Sequence, residues 1–553
     1  MTTTLLSGGT IWRGPGIPTA HALLLDDDRI AALDEAAESA AGDDTRRIDL
    51  QGAFVMASWG DGHAHPLFGG LESEGPDVRA CTSVDDIVAE VARYAADHPV
   101  DPEDPDSEWI FGASYDGSLV EAGLFDARWL DRAVDDRPVV LRAWDYHTVW
   151  VNSEALRRAG ITSDTADPVL GEIPHREDGE PLGTLREWGA VDLVMNVAPV
   201  RPDEVRLRAL QTAGRYYLAR GVTWVQDAWV EPRDVDTYVE AAGRGILPIR
   251  FNLALYADPR AFDQQLPHMI EARRRVEEAD DPLLTAHTVK FFADGVVENE
   301  TGALLEPYCS GLHSHHAGSA RHGMQVWGDG DALANAVEAV DAAGFQIHIH
   351  AIGDAAVRQA LDAVQGAIEA NGARDRRPVI AHAQLIADED LGRFAELGVV
   401  ACMQPLWAQQ DALMTVLTVP RLGEERADRQ YRMHSLEHTG ATLSFGSDWP
   451  VSSGDPRDGI AIAVSRQTAE GEPEGGWTPH ERVSIEDALH SYSAQVAWQA
   501  FADRADAAWG VIEPGASADF VVLSRDPREA EAADIPDIRV VATFLRGVAR
   551  YES

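Results

Sequence analysis

Lysine is almost absent from this chain: among 46 basic residues in 553, it occurs once, at Lys290. Cysteine is scarce, and Cys81, Cys309 and Cys402 lie far apart, which excludes a disulfide scaffold and a cysteine-based zinc finger and fits a reducing, cytoplasmic setting. No basic residue precedes Arg13, so the N-terminus does not read as a signal peptide, and no apolar run is long enough to span a membrane. Positive charge is short overall, with 92 acidic residues and a formal net charge of −46. Such a surface repels nucleic acid and anionic membranes, so neither is expected as a partner.

What is present is a large apolar fraction, 45%, enough for an extensive core. Both ends read as short strands and turns: Thr4–Trp12, then His21–Leu25 and Arg29–Leu33 around Asp26-Asp27-Asp28, and at the far end Phe520–Leu523 and Val540–Leu545. The two ends are expected to pair into one small β-sandwich domain. Between them, eight apolar runs alternate with amphipathic stretches: 54–58, 222–225, 249–255, 288–292, 345–349, 379–381, 399–403 and 442–445. Alternating buried strands and helices predict an α/β fold with a parallel sheet, and eight units predict a (β/α)₈ TIM barrel. A doubly wound sheet needs a glycine-rich phosphate turn after its first strand; here Asp61-Gly62-His63-Ala64-His65-Pro66 follows instead. About 150 residues separate the first two strands, far more than a normal connection. The expected organisation is a sandwich from 1–56 plus 505–553, a barrel from 57–66 plus 203–504, and an inserted subdomain, 67–202, over the barrel mouth.

Catalytic groups of such barrels sit at the C-terminal ends of the strands. Read that way, strand one ends at His63 and His65, strand four carries Lys290 and then Asp294, strand five ends at His348 and His350, strand six at His382, and strand eight at Asp448. Residues i and i+2 of a strand share a face, so His63 and His65 can converge on one ion. Imidazole and carboxylate are the ligands of a zinc-type ion. A single strand histidine is usually a core residue; the conjunction across five strands argues for a site. His350 is favoured over His348 as a ligand because it lies at the strand end. A lysine buried beside a metal loses its proton and can be carboxylated to a carbamate that bridges two ions. A chain that uses arginine everywhere else retains this one amine.

These motifs resemble the amidohydrolase superfamily, in particular its YtcJ-like and N-substituted formamide deformylase-like branch, amidohydrolase family 3. The carriers are Asp61-Gly62-His63-Ala64-His65, His147-Thr148-Val149-Trp150-Val151-Asn152-Ser153, Val289-Lys290-Phe291-Phe292-Ala293-Asp294-Gly295, His350-Ala351-Ile352-Gly353-Asp354, Ala381-His382-Ala383-Gln384, Gly446-Ser447-Asp448-Trp449-Pro450-Val451 and Pro514-Gly515-Ala516-Ser517-Ala518-Asp519. One departure precedes His63, where Ala57-Ser58-Trp59-Gly60 replaces the usual Pro-Gly-apolar segment. The resemblance implies one or two divalent ions, zinc being the expected metal. His63, His65 and Asp448 would bind the first, carboxylated Lys290 would bridge, and His350 and His382 would bind the second. A metal-bound hydroxide would attack a non-peptide amide, with Asp448 as general base and then acid. The expected partner is a small-molecule amide, and a homodimer is admitted. Tyr115, His147, Asp294 and Trp407, with Trp327 and Trp449, are expected near substrate. His313-Ser314-His315-His316 and His322 read as a lid or surface loop. A lactonase or phosphoester hydrolase on the same ligands is the alternative. A single-metal deaminase, which lacks the bridging lysine, and a non-catalytic binding protein, which would lack a ligand, fit less well.

Overall fold

A computed structural model describes residues 3–102, 105–309, 322–328, 330–506 and 508–553. The His313–His316 cluster lies outside these residues.

Eight parallel strands form a nearly closed barrel: Trp59–Ala64, Val222–Val230, Arg250–Tyr256, Leu284–Phe292, Gln346–Ala351, Val379–His382, Val400–Met403 and Thr442–Phe445. We number them one to eight in that order. Between strands two and eight, helices such as Pro232–Gly243, Phe262–Glu278, Ala332–Ala342 and Asp354–Asn371 bury one apolar face against the barrel. The strands are covered on both sides, which explains their continuous apolar character rather than an in-out alternation.

Strand one departs from the sequence expectation. The apolar run Phe54–Ala57 is not a barrel strand: it pairs antiparallel with Phe520–Leu523 and parallel with Thr10–Ile11. The barrel strand is the next segment, Trp59–Ala64, with only Ser58 between them. Its glycines disguise it. A Cβ on Gly60 would meet Val496 at 2.6 Å, and one on Gly62 would meet Cys402 Sγ at 2.8 Å. Close approach inside the barrel, rather than a turn, requires glycine at both positions.

The chain ends combine in one mixed sheet, ordered Val548–Glu552, Val540–Leu545, Phe520–Leu523, Phe54–Ala57, Thr3–Ile11, Ala20–Asp26 and Arg29–Leu33, with Arg46–Asp49 also on Thr3–Ile11. Its apolar face gathers Leu6, Leu23, Ile30, Val55, Phe520 and Phe544. Between barrel strands one and two, a third sheet runs in the order Thr184–Arg186, Thr148–Val151, Val139–Ala143 and Ile110–Tyr115. Helices Val84–Asp97, Ser153–Ala159 and Glu187–Met195 flank it. Among the described residues no helix is long and apolar enough to cross a membrane.

Candidate metal centre

Strands one and eight are tied together beneath the site. Asp61 accepts the Ser447 amide at 2.9 Å and, through its other oxygen, the hydroxyls of Ser447 and Tyr217. The Asp448 amide donates to His63 O at 2.7 Å, and a Cβ on Gly446 would strike His63 N at 2.6 Å. His63 and Asp448 are thus neighbours by backbone geometry before any side-chain contact. Asp448 (φ 58°) and His382 (φ 72°) both adopt the left-handed conformation that costs a non-glycine residue, as residues at functional sites often do.

Three ligating atoms, from His63, His65 and Asp448, lie within 4.8 Å of one another. Asp448 Oδ1 is 2.9 Å from His65 Nε2 and 3.4 Å from His63 Nε2. This buried oxygen nevertheless has no hydrogen bond of sound geometry among the described residues. Close imidazole nitrogens that do not hydrogen-bond a buried carboxylate fit a cation held between them. Lys290 Nζ stands 3.3 Å from His63 Nε2 and 4.5 Å above the Phe292 ring, with no carboxylate in ion-pair contact among the described residues. Register places His348 beside Lys290 and His350 beside Phe292. His348 Nε2 is 2.7 Å from His63 Nδ1, which leaves His63 Nε2 for the centre. His350 and His382 rings are 4.5 Å apart; His382 Nδ1 is engaged by Gln404 Oε1 at 2.7 Å and His350 Nε2 by Gly295 O at 3.1 Å.

Burial shapes the charge here. It pushes the Lys290 amine down to about 7, against the pull of Asp448. It also holds His63, His348 and His350 well below the ordinary imidazole value, with the Lys290 charge adding to it, and brings His382 to about 3. Neutral imidazoles are the form that binds a cation. Burial works against the Asp448 carboxylate, yet the close His65 imidazole, with His382 and Lys290 beyond it, outweighs burial and lowers its pKa.

A cavity of about 260 Å³ opens over these groups, lined by His350, His382 and Asp448 from the barrel and by Arg79, Trp144, Asp145 and His147 from the segment between strands one and two. Trp407 stacks on His382 with ring centres 5.3 Å apart and forms a wall. Tyr115 lies elsewhere, enclosed by Phe125 and Trp150. Asp294, expected near substrate, does not line the cavity: it is fully buried, and its oxygens accept the amides of Ile352, Gly353 and Ala303 at 2.8–2.9 Å. These bonds oppose burial, which raises its pKa to about 7. Trp449 stacks on Tyr216, and Trp327 packs on Phe262 and Phe291. Sequence reasoning missed Glu187, whose carboxylate accepts from His147 Nδ1 at 2.9 Å and from Thr301 Oγ1 at 2.6 Å. Nothing local marks it, because it is 40 residues from His147.

A family profile described as amidohydrolase family matches residues 46–551. The chain is 31% identical to Protein LONG AFTER FAR-RED 3 of Arabidopsis thaliana, over 99% of this chain and 91% of that one. It is 27% identical to the putative amidohydrolase YtcJ of Bacillus subtilis (strain 168), over 98% and 99%. It is 26% identical to the N-substituted formamide deformylase of Arthrobacter pascens, over 96% and 95%. Among solved structures, an uncharacterized metal-dependent hydrolase from Pyrococcus furiosus superposes with a TM-score of 0.70 at 26% identity, covering 95% of this chain and all of that one.

Proposed function

This chain belongs to the amidohydrolase family, and from that premise we propose that it hydrolyses a carbon–nitrogen bond of a small, non-peptide amide. The observation that carries the reading is the convergence of the ligating atoms of His63, His65 and Asp448, the last of which also lines the cavity. The similarity to a formamide deformylase supports the bond class.

In this reading His63, His65 and Asp448 would hold one divalent ion, zinc being the expected metal. Lys290, carboxylated, would offer a further carboxylate ligand, and His350 and His382 would serve a second ion. When bound, such ions acidify a water and polarise a carbonyl. The chain's own residues do the rest. Asp448 Oδ1 takes the proton of the attacking water and returns it to the departing amine. His147, held by Glu187, faces His350 with ring centres 5.5 Å apart and can donate to the substrate carbonyl oxygen. Trp407 and the buried Tyr431 and Met414 keep water from the apolar part of the substrate. Asp145, Glu298 and Asp411 in the wall, against one arginine there, Arg79, that Glu72 pairs, disfavour a phosphoester dianion and suit the amine that C–N hydrolysis releases. Three free thiols support a reducing, cytoplasmic setting.

The test is metal analysis of the purified protein and a screen of N-formyl and N-acyl amines beside lactones and phosphoesters. We expect one to two divalent ions per chain and turnover of the amides. Lys290 is the only lysine, so ¹³C-bicarbonate should give one carbamate signal that acid unfolding removes. Absence of bound divalent metal, or turnover of lactones or phosphoesters alone, would overturn the reading.

A further inference from the structure

A second cavity, of about 240 Å³, lies behind the first. The two share no lining residue. Phe68 divides them: its ring stacks on His65 on one side, at 5.7 Å, and on Tyr146 on the other, at 6.2 Å. The short segment 144–147 is a common wall. Trp144, Asp145 and His147 face the candidate metal centre, whereas Tyr146 and the nearby Arg142 face the second cavity.

The second cavity joins apolar walls to arginines that have no ion pair among the described residues. Phe68, Leu71, Phe111, Val140 and Met195 are among its apolar lining. Arg142, Arg201 and Arg233 also line it. Among the described residues, none of these three has a carboxylate within ion-pair distance. Arg142 donates one bond, from Nη1 to Tyr146 O at 3.0 Å, and Arg201 lies over the Phe111 ring at 5.6 Å. The fourth arginine of the lining, Arg206, differs: Asp234 pairs with it at 2.5 Å. The one carboxylate in the lining, Glu72, is committed to Arg79, Ser114 and Tyr146. In a chain of net charge −46, a half-enclosed cavity lined by three guanidiniums without a contact carboxylate among the described residues favours an anion. A guanidinium fork matches a carboxylate, and the apolar walls match a hydrocarbon or aryl tail.

We propose that this cavity binds a small amphiphilic organic anion, a carboxylate head on an apolar tail, at a site separate from the metal centre. Arg142 and Arg201 take the head, Arg233 adds attraction at the rim, and the tail lies against Phe68, Phe111 and Met195.

Octanoate is a suitable probe, titrated calorimetrically into the metal-loaded protein, with octanamide as the neutral control. Octanoate should bind with one site per chain, and octanamide at least tenfold more weakly. Arg142→Gln and Arg201→Gln should each weaken octanoate at least tenfold, and Asp448→Asn should leave its affinity within twofold. If Arg142→Gln lowers Tm and so obscures the result, Arg201→Gln, at a partly buried arginine with no ion pair among the described residues, decides alone. Equal binding of octanoate and octanamide, unchanged affinity in Arg201→Gln, or loss of binding in Asp448→Asn would overturn the proposal, the last by placing the carboxylate at the metal centre.

Discussion

The two sides of the barrel mouth are built differently. On the side of strands one and eight, His63, His65 and Asp448 crowd their ligating atoms within 4.8 Å, and the contact between His65 and Asp448 is not a sound hydrogen bond. On the side of strands five and six, His350 and His382 each hold a polar neighbour, Gly295 O and Gln404 Oε1. Among the described residues, only the first side brings three ligating atoms this close together. The reason is local: His63 and His65 are two apart on one strand, and Asp448 is hydrogen-bonded through its backbone to His63. The second side draws on separate strands, and in our reading it is completed by a carboxylate that Lys290 must first acquire. The same contrast holds for buried carboxylates. Asp448 keeps an oxygen free, whereas Asp294 is saturated by three backbone amides.

The largest expected effect strikes the gathered side. Asp448→Asn should lower kcat by about 10³- to 10⁴-fold with circular dichroism and Tm near wild type. Retained turnover would make the free oxygen incidental and erase the contrast between the two carboxylates.

A smaller effect sharpens the comparison. His348 is the group that engages His63 Nδ1, so His348→Ala should release that imidazole and weaken metal binding by about 10- to 100-fold. The readout is competition with a chromophoric chelator. Gln404→Ala should act on the other side through His382. If neither variant changes metal affinity, these contacts are packing only.

The smallest effect is one of stability. Asp294→Asn places an amide NH₂ among three N–H donors and should cost about 1–3 kcal/mol, measured by urea unfolding. Burial raises the Asp294 pKa from its usual value of 3.8 to about 7, so the fold favours the neutral acid. That stabilisation is complete below pH 3.8 and fades as pH rises through 7. Asn does not titrate, so its deficit should be larger at pH 5 than at pH 8. A deficit that grows with pH would reverse the assignment.

Much of the fold was legible. Seven of the eight barrel strands fall on apolar runs that alternate with helical stretches, as buried parallel strands must. The first strand was misplaced because Phe54–Ala57 has the apolar look of a barrel strand, while Trp59–Ala64 carries two glycines that normally signal a turn. Packing explains both: one segment lies in the terminal sheet, and the other needs glycine where Val496 and Cys402 press against it. The polar strand ends were equally legible. His348 could be read only as a competitor of His350; its bond to His63 joins positions 285 residues apart.

The sequence alone determined the alternation that makes a barrel, the His-x-His spacing that puts two imidazoles on one face, and the single amine at Lys290. These follow from periodicity and residue chemistry, which are local. Tertiary structure decided which donor atoms meet and which are already engaged. It delivered His147 and its partner Glu187 to the cavity, consumed Asp294 in backbone bonds and, among the described residues, left Arg142 and Arg201 without an ion pair behind Phe68. Such outcomes depend on distances between strands and loops far apart in the chain, and burial then sets the protonation of every group that meets there.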